Sequence, residues 1–150
     1  MGILKDTILS SEKRPSVIQD CVQLVDAEVA AKKGVTGMMI KSSYKMFKAI
    51  KPTIVQTAVE HLLDDFAVKL DQQYDTYLAA VPDKSQPFDR WATNRDREIA
   101  DQLLGVTDAI IAKSEKPAIK KIYSGLRGVA EKNVAAAVPA VGKLVMKYTV

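Results

Sequence analysis

The stretch PTIVQTAVEHLLDDFAVKLDQQYDTYLAA, residues 52–80, decides the fold class. Within it Val55, Val59, Leu62, Phe66 and Leu70 stand four, three, four and four apart, the spacing of one face of an α-helix. At 1.5 Å per residue, a helix from Pro52 to Ala80 is about 40 Å long. On its N-terminal side, Pro52 disfavours helix at Lys51 and so closes a helix over residues 36–50, whose apolar set is Met39, Met46, Phe47 and Ile50 with Tyr44 at the margin. Before that, Ser16-Val17-Ile18-Gln19 reads as a capping box opening a helix from Ser16 to Lys33, with Ile18, Cys21, Val22, Val25 and Val29 as its apolar face. Gly34 supplies its stop, and a short helical turn over Ile3 to Leu9 precedes it.

Toward the C-terminus, residues 81–86 form a polar connector holding Pro82 and Ser85, and Pro87 opens a helix to Lys113 carrying Trp91, Ile99, Leu103, Val106 and Ile110. Ser114 caps the next helix, with Pro117 in its first turn. From there Ile119, Ile122, Leu126, Ala130, Ala137, Val141, Leu144 and Tyr148 keep phase past Pro139, which predicts one kinked helix or two in line. Gly125, Gly128, Ala135 to Ala137, Ala140 and Gly142 make this segment small-sided, so another helix can approach it closely. The expected architecture is all-α, a compact bundle of five or six helices in a single domain, 1–150.

Composition excludes several classes. With 150 residues, 47% hydrophobic and 27% charged, the chain has the make-up of a globular domain and not of a disordered or fibrous one. No window offers the roughly 18 apolar residues of a membrane span, and no basic segment leads into an apolar run at the start as in a signal peptide. One cysteine, Cys21, makes no intramolecular disulfide, so a reducing cytoplasm is the expected compartment.

Charge is segregated. Residues 1–51 carry +4, residues 52–115 carry −6 and residues 116–150 carry +6. Complementary solvated faces on neighbouring helices are the ordinary explanation, and pairing across subunits is the alternative. Lys41, Lys45 and Lys48, with Lys51 just beyond, share one side of the helix over 36–50. The ordinary expectation is that Met39, Met46 and Phe47 face the core, as methionine commonly does. The sharper one is a basic amphipathic helix lying on an anionic membrane surface. Lys120, Lys121, Arg127, Lys132, Lys143 and Lys147 form a second basic reservoir, but without a recognition helix or stacking aromatics nucleic-acid binding is not expected.

Chemical motifs are few. Gly34-Val35-Thr36-Gly37 is a GxxG between two helices, and without a sheet around it a tight interhelical turn explains it better than a nucleic-acid clamp. His61 is the only histidine. Glu60, Asp64 and Asp65 surround it, but one His supplies neither a di-iron pair nor a zinc set, and a partly exposed imidazole bonded to a carboxylate is expected. Asp64 and Asp65 point about 100° apart on a helix and do not make an acid and base pair. Cys21 lies on an apolar face, and Ser42, Ser43 and Ser124 lack a nucleophile-elbow sequence. Trp91 among Arg90, Arg95 and Arg97 reads as a partly buried ring covered by arginine stems, with a cation–π cluster on an exposed surface as the alternative. No catalytic residue, cofactor or metal ligand is assigned.

Lys5 to Ser10, Lys13-Arg14-Pro15 leading into Asp26-Ala27-Glu28-Val29, Gly34 to Lys41, Lys51-Pro52, Leu62 to Phe66 and Tyr123 to Arg127 together resemble an uncharacterised family of small all-helical bacterial proteins, a domain of unknown function common in actinobacteria. The resemblance covers most of the chain. It implies a single helical domain in a bacterial cytoplasm and carries no activity, cofactor or catalytic residue.

The functional expectation is a non-enzymatic helical bundle acting through protein–protein interaction or self-association, with a second copy or another protein as partner. The alternative is a peripheral membrane or lipid-binding protein using the basic amphipathic helix at 36–51, with Lys41, Lys45, Lys48 and Lys51 as the anionic contact.

Overall fold

The computed structural model describes residues 2–149. They form seven helices: α1 (Ile3–Ile8), α2 (Arg14–Ala31), α3 (Gly34–Ile50), α4 (Ile54–Ala80), α5 (Phe88–Thr93), α6 (Asp96–Ala112) and α7 (Pro117–Thr149). No strand occurs among the described residues. The chain is all-α, but with seven helices and not the five or six expected, since the segment read as one helix over 87–113 breaks at Asn94 and Arg95. The break lets Phe88, Trp91 and Ala92 on one side of it and Ile99, Ala100 and Leu103 on the other all reach the core.

The 33-residue α7 is the axis of the bundle. It runs through Pro139 as one helix, and α1, α2, α3, α5 and α6 all pack against it. Because neighbours surround its second half, the buried positions there are Ala135, Val138, Gly142 and Val145, beside the stripe of Ala137, Val141 and Leu144 that periodicity alone selects. Helix α4 shows the same displacement. Val55, Val59, Leu62, Phe66 and Leu70 are only half-buried, while Leu63, Ala67, Tyr74 and Tyr77 are buried. In α2, similarly, Val17 is fully buried and Ile18 and Cys21 are packed beside it.

Aromatic rings fill one part of the core. Tyr74 and Tyr77, three apart on α4, meet Phe88 edge-on at centroid distances of 5.2 Å each, and Trp91 stacks on Phe88 at 5.9 Å. The Tyr77 hydroxyl donates to the Gln86 carbonyl at 2.7 Å and so pins the connector between α4 and α5. The Trp91 ring is buried, more deeply than the partly buried ring expected, and the Arg95 guanidinium lies over it at 4.6 Å in a cation–π contact.

Helix ends depart from the expected caps in specific ways. Helix α2 begins at Arg14, so Ser16 lies inside its first turn and caps nothing, while Ser10 Oγ accepts the Lys13 N–H at 3.3 Å. Ser114 Oγ accepts the Lys116 N–H at 3.2 Å, one residue before α7 begins. Gly34 is left-handed (φ 75°) but opens α3 and does not end α2, which stops at Ala31. The GxxG is the first turn of α3 and not the interhelical turn expected, which is Lys32 and Lys33; Gly37 lets that connector pass close, since a Cβ there would stand 2.7 Å from the Lys32 carbonyl carbon. At α1, Asp71 of α4 accepts the backbone N–H groups of Gly2 (3.1 Å) and Lys5 (3.0 Å), a cap delivered from 66 or more residues away.

The expectation that Met39, Met46 and Phe47 face the core holds for Phe47, which is half-buried, and is corrected for Met39 and Met46. Val35 is 87% exposed, Met38 70%, Met46 53% and Met39 37%, and only Gly37 of this helix is buried. Helix α3 lies at the edge of the bundle against α7, α2 and α4, and it turns Ile40 and Tyr44 inward together with Phe47.

Candidate anionic-surface interface

Helix α3 forms between the Gly34 turn and Lys51, which leaves the helix in extended conformation before Pro52. Lys48 in its last turn favours the negative helix end. At 100° per residue the half-buried Ile40, Tyr44 and Phe47 mark the packed side, and Lys41, Lys45 and Lys48 fall within about 60° of arc outside it. Continuing round the exposed side come Met38, Ala49, Ser42, Val35, Met46 and Met39. A row of lysines therefore borders an exposed apolar stripe on one helix.

The four lysines singled out from sequence are all exposed, but they are not equivalent. Lys48 Nζ lies 3.6 Å from an Asp26 carboxylate oxygen and 4.4 Å from the centre of the Tyr44 ring. The Tyr44 hydroxyl also donates to Asp26, and burial with that carboxylate pushes the phenol well above its ordinary pKa. This trio ties α3 to α2. Among the described residues Lys41, Lys45 and Lys51 have no ion-pair partner. No carboxylate occurs in the sequence between Glu28 and Glu60, so their charge is not neutralised locally.

Beyond the stripe, a groove of about 520 Å³ separates α3 from the start of α7. Met39, Met46 and Ile50 form one wall, Ala118, Ile122 and Gly125 the other, and Lys121 stands among them. Sequence reasoning placed Lys121 in a basic reservoir that could contact phosphates and Gly125 in a small-sided segment, but did not bring them together with Ala118 and Ile122. The legible signal was Ala118 and Gly125, two small residues seven apart and hence on one helix face. A second groove, about 490 Å³, lies between α4 and α6 and carries mixed charge from Asp65, Lys69, Asp101 and Lys113.

The remaining basic reservoir is divided. Arg127 grips Asp108 through Nε at 2.9 Å and Nη2 at 3.1 Å, and Tyr123 donates to the same carboxylate at 2.5 Å. These partners hold the Asp108 carboxyl below the ordinary range, the Arg127 bonds contributing most. Lys147 and Tyr148 donate to Asp20 at 2.7 and 2.6 Å and lower its pKa likewise. Lys120, Lys121, Lys132 and Lys143 stay exposed. Arg14 with Asp64 and Arg127 with Asp108 join the basic ends of the chain to its acidic middle, as complementary faces require.

His61 is exposed on α4, and the carboxylate expected beside it is engaged elsewhere, since Asp64 accepts from Arg14 at 2.6 Å. No hydrogen bond to His61 occurs among the described residues. The half-buried Cys21 thiol is pushed up to about 11 by burial and by Asp20, which keeps it protonated and unreactive at neutral pH. No helix among the described residues is long and apolar enough to cross a membrane.

No curated protein and no solved structure matches the chain. The resemblance drawn from diffuse stretches along its length does have a counterpart: over residues 4–149 the chain matches, and belongs to, a family of unknown function (DUF6918).

Proposed function

We propose that this protein is a non-enzymatic peripheral binder of anionic membrane surfaces, and that α3 is the contact helix. One observation carries the reading: Val35, Met38, Met39 and Met46 are exposed beside the lysine row of α3. Each lysine near an anionic bilayer contributes about 1 kcal/mol, and exposed apolar side chains gain by entering the headgroup boundary to a depth of roughly 5–10 Å. Neither element alone holds a protein on a bilayer; together they supply attraction and anchorage. Lys41 and Lys45 are the principal contacts, with Lys48 shared with Asp26 and Lys51 at the helix end.

Self-association through the same face is less well supported. Two α3 helices packed antiparallel about a two-fold axis set the lysine row of one against that of the other, and like charges in that register repel. The test is cosedimentation with vesicles of phosphatidylcholine, with and without phosphatidylglycerol, at low and high salt. Binding is expected only with phosphatidylglycerol, weakening with salt. The double variant Lys41→Glu, Lys45→Glu lowers it by at least about a hundredfold. Equal binding to both vesicle types, or none at low salt, contradicts the proposal.

A further inference from the structure

Met39 and Met46 face two ways, since they belong to the exposed stripe of α3 and also wall the groove against α7. The groove therefore opens beside the surface assigned to the bilayer. Its volume of about 520 Å³ is within the usual range of small-molecule sites, roughly 300–1,000 Å³. From Met39 to Ile50 it runs along about 16 Å of helix. A partner helix about 10 Å across could rest only one face in it, whereas a single unbranched hydrocarbon chain is narrow enough to lie within it.

The walls suit such a chain. Methionine side chains are flexible and polarisable and adjust to an apolar ligand. On the α7 side, Ala118 and Gly125 leave room, and a Cβ placed on Gly125 meets no atom within 4 Å. The polar end of the ligand is set by charge: Lys121 stands in the lining without an ion-pair partner among the described residues. No carboxylate lines the groove. Resting on the reading of α3 as a membrane contact, we propose that the α3–α7 groove holds one acyl chain of an anionic phospholipid, with Lys121 pairing to its phosphate. The protein then inserts methionines into the bilayer and also draws one lipid chain up between two helices.

The test uses the full-length protein and phosphatidylglycerol carrying a photoactivatable group on one acyl chain, in vesicles and, separately, as a short-chain form dispersed below its micelle concentration. Cross-links are expected on residues 39–50 and 118–125 in both forms. Gly125→Leu fills the groove without meeting backbone, and Ala118→Leu is a second filler. Each is expected to remove those cross-links and weaken capture of dispersed lipid at least about tenfold, with the thermal melt retained. Lys121→Gln is expected to weaken capture of the phosphatidylglycerol but not of a neutral alkyl probe. Vesicle binding with cross-links elsewhere, or unchanged by both fillers, overturns the groove proposal while the membrane reading stands. Capture of dispersed lipid without vesicle binding overturns the membrane reading and leaves the groove. Failure of both overturns both.

Discussion

Single glycines in this chain have opposite roles that only their surroundings reveal. A Cβ on Gly37 would come within 2.7 Å of Lys32 backbone, and one on Gly142 within 2.6 Å of the Asp89 Cα, where α5 crosses α7. Gly37→Ala and Gly142→Ala are each expected to destabilise by about 1–3 kcal/mol in urea unfolding, because backbone must move. Gly128→Ala, where the Cβ meets open space inside a helix, is expected to stabilise by up to about 1 kcal/mol. Sequence marks all three as small residues and cannot separate them, since the difference lies in which neighbouring helix crosses there. Among charged residues, Asp108 has the clearest expected effect. Its folded pKa lies below the unfolded value, so its bonds to Arg127 and Tyr123 stabilise above the unfolded pKa, and that contribution is lost as pH falls through the folded one. Asp108→Asn is accordingly expected to lower stability by about 1 kcal/mol at neutral pH, with the gap to the parent chain closing as pH falls through the lowered pKa of Asp108. A gap that stays constant down to acid pH contradicts that assignment.

At the scale of elements, helix type and approximate extent were legible because periods of three and four dominate the sequence. The connectors and the exact buried stripe were less so. In α4 and α7 neighbours on two sides shift burial from Leu62 and Phe66 to Leu63 and Ala67, and from Val141 to Gly142 and Val145. A one-dimensional pattern gives a face but not the number of helices that cover it. The break between α5 and α6 went unread because no proline or glycine marks it: Asn94 and Arg95 stand there, with Trp91 and Ile99 buried on its two sides. Likewise nothing local signals that Asp71 caps α1 from the far side of the chain. Asp71→Ala is expected to cost about 1–2 kcal/mol, and hydrogen exchange should show α1 opening first. Uniform loss of protection across all helices would contradict a cap specific to α1.

Across the whole molecule, buried aromatic and aliphatic side chains gather around the second halves of α4 and α7, while α3 and the start of α7 carry cations, exposed methionines and a groove. The lysines of that face were legible in sequence as a helical row. The outward orientation of its methionines was not, because Met39 and Met46 are as suited to a core as Phe47, which does turn inward, and only the position of α3 at the bundle edge decides the matter. Segregated charge then has a testable consequence: no carboxylate stands between Glu28 and Glu60, so if the proposed contact with an anionic surface is made, it is expected to weaken with salt. The central claim is that α3 meets the bilayer with its methionine stripe. The most direct measurement is the emission of a polarity-sensitive fluorophore on Met38→Cys in a Cys21→Ala background, with Thr93→Cys on α5 as the reference position. On phosphatidylglycerol vesicles the account predicts a blue shift at position 38 and none at 93; no shift at 38, or equal shifts at both, would contradict it.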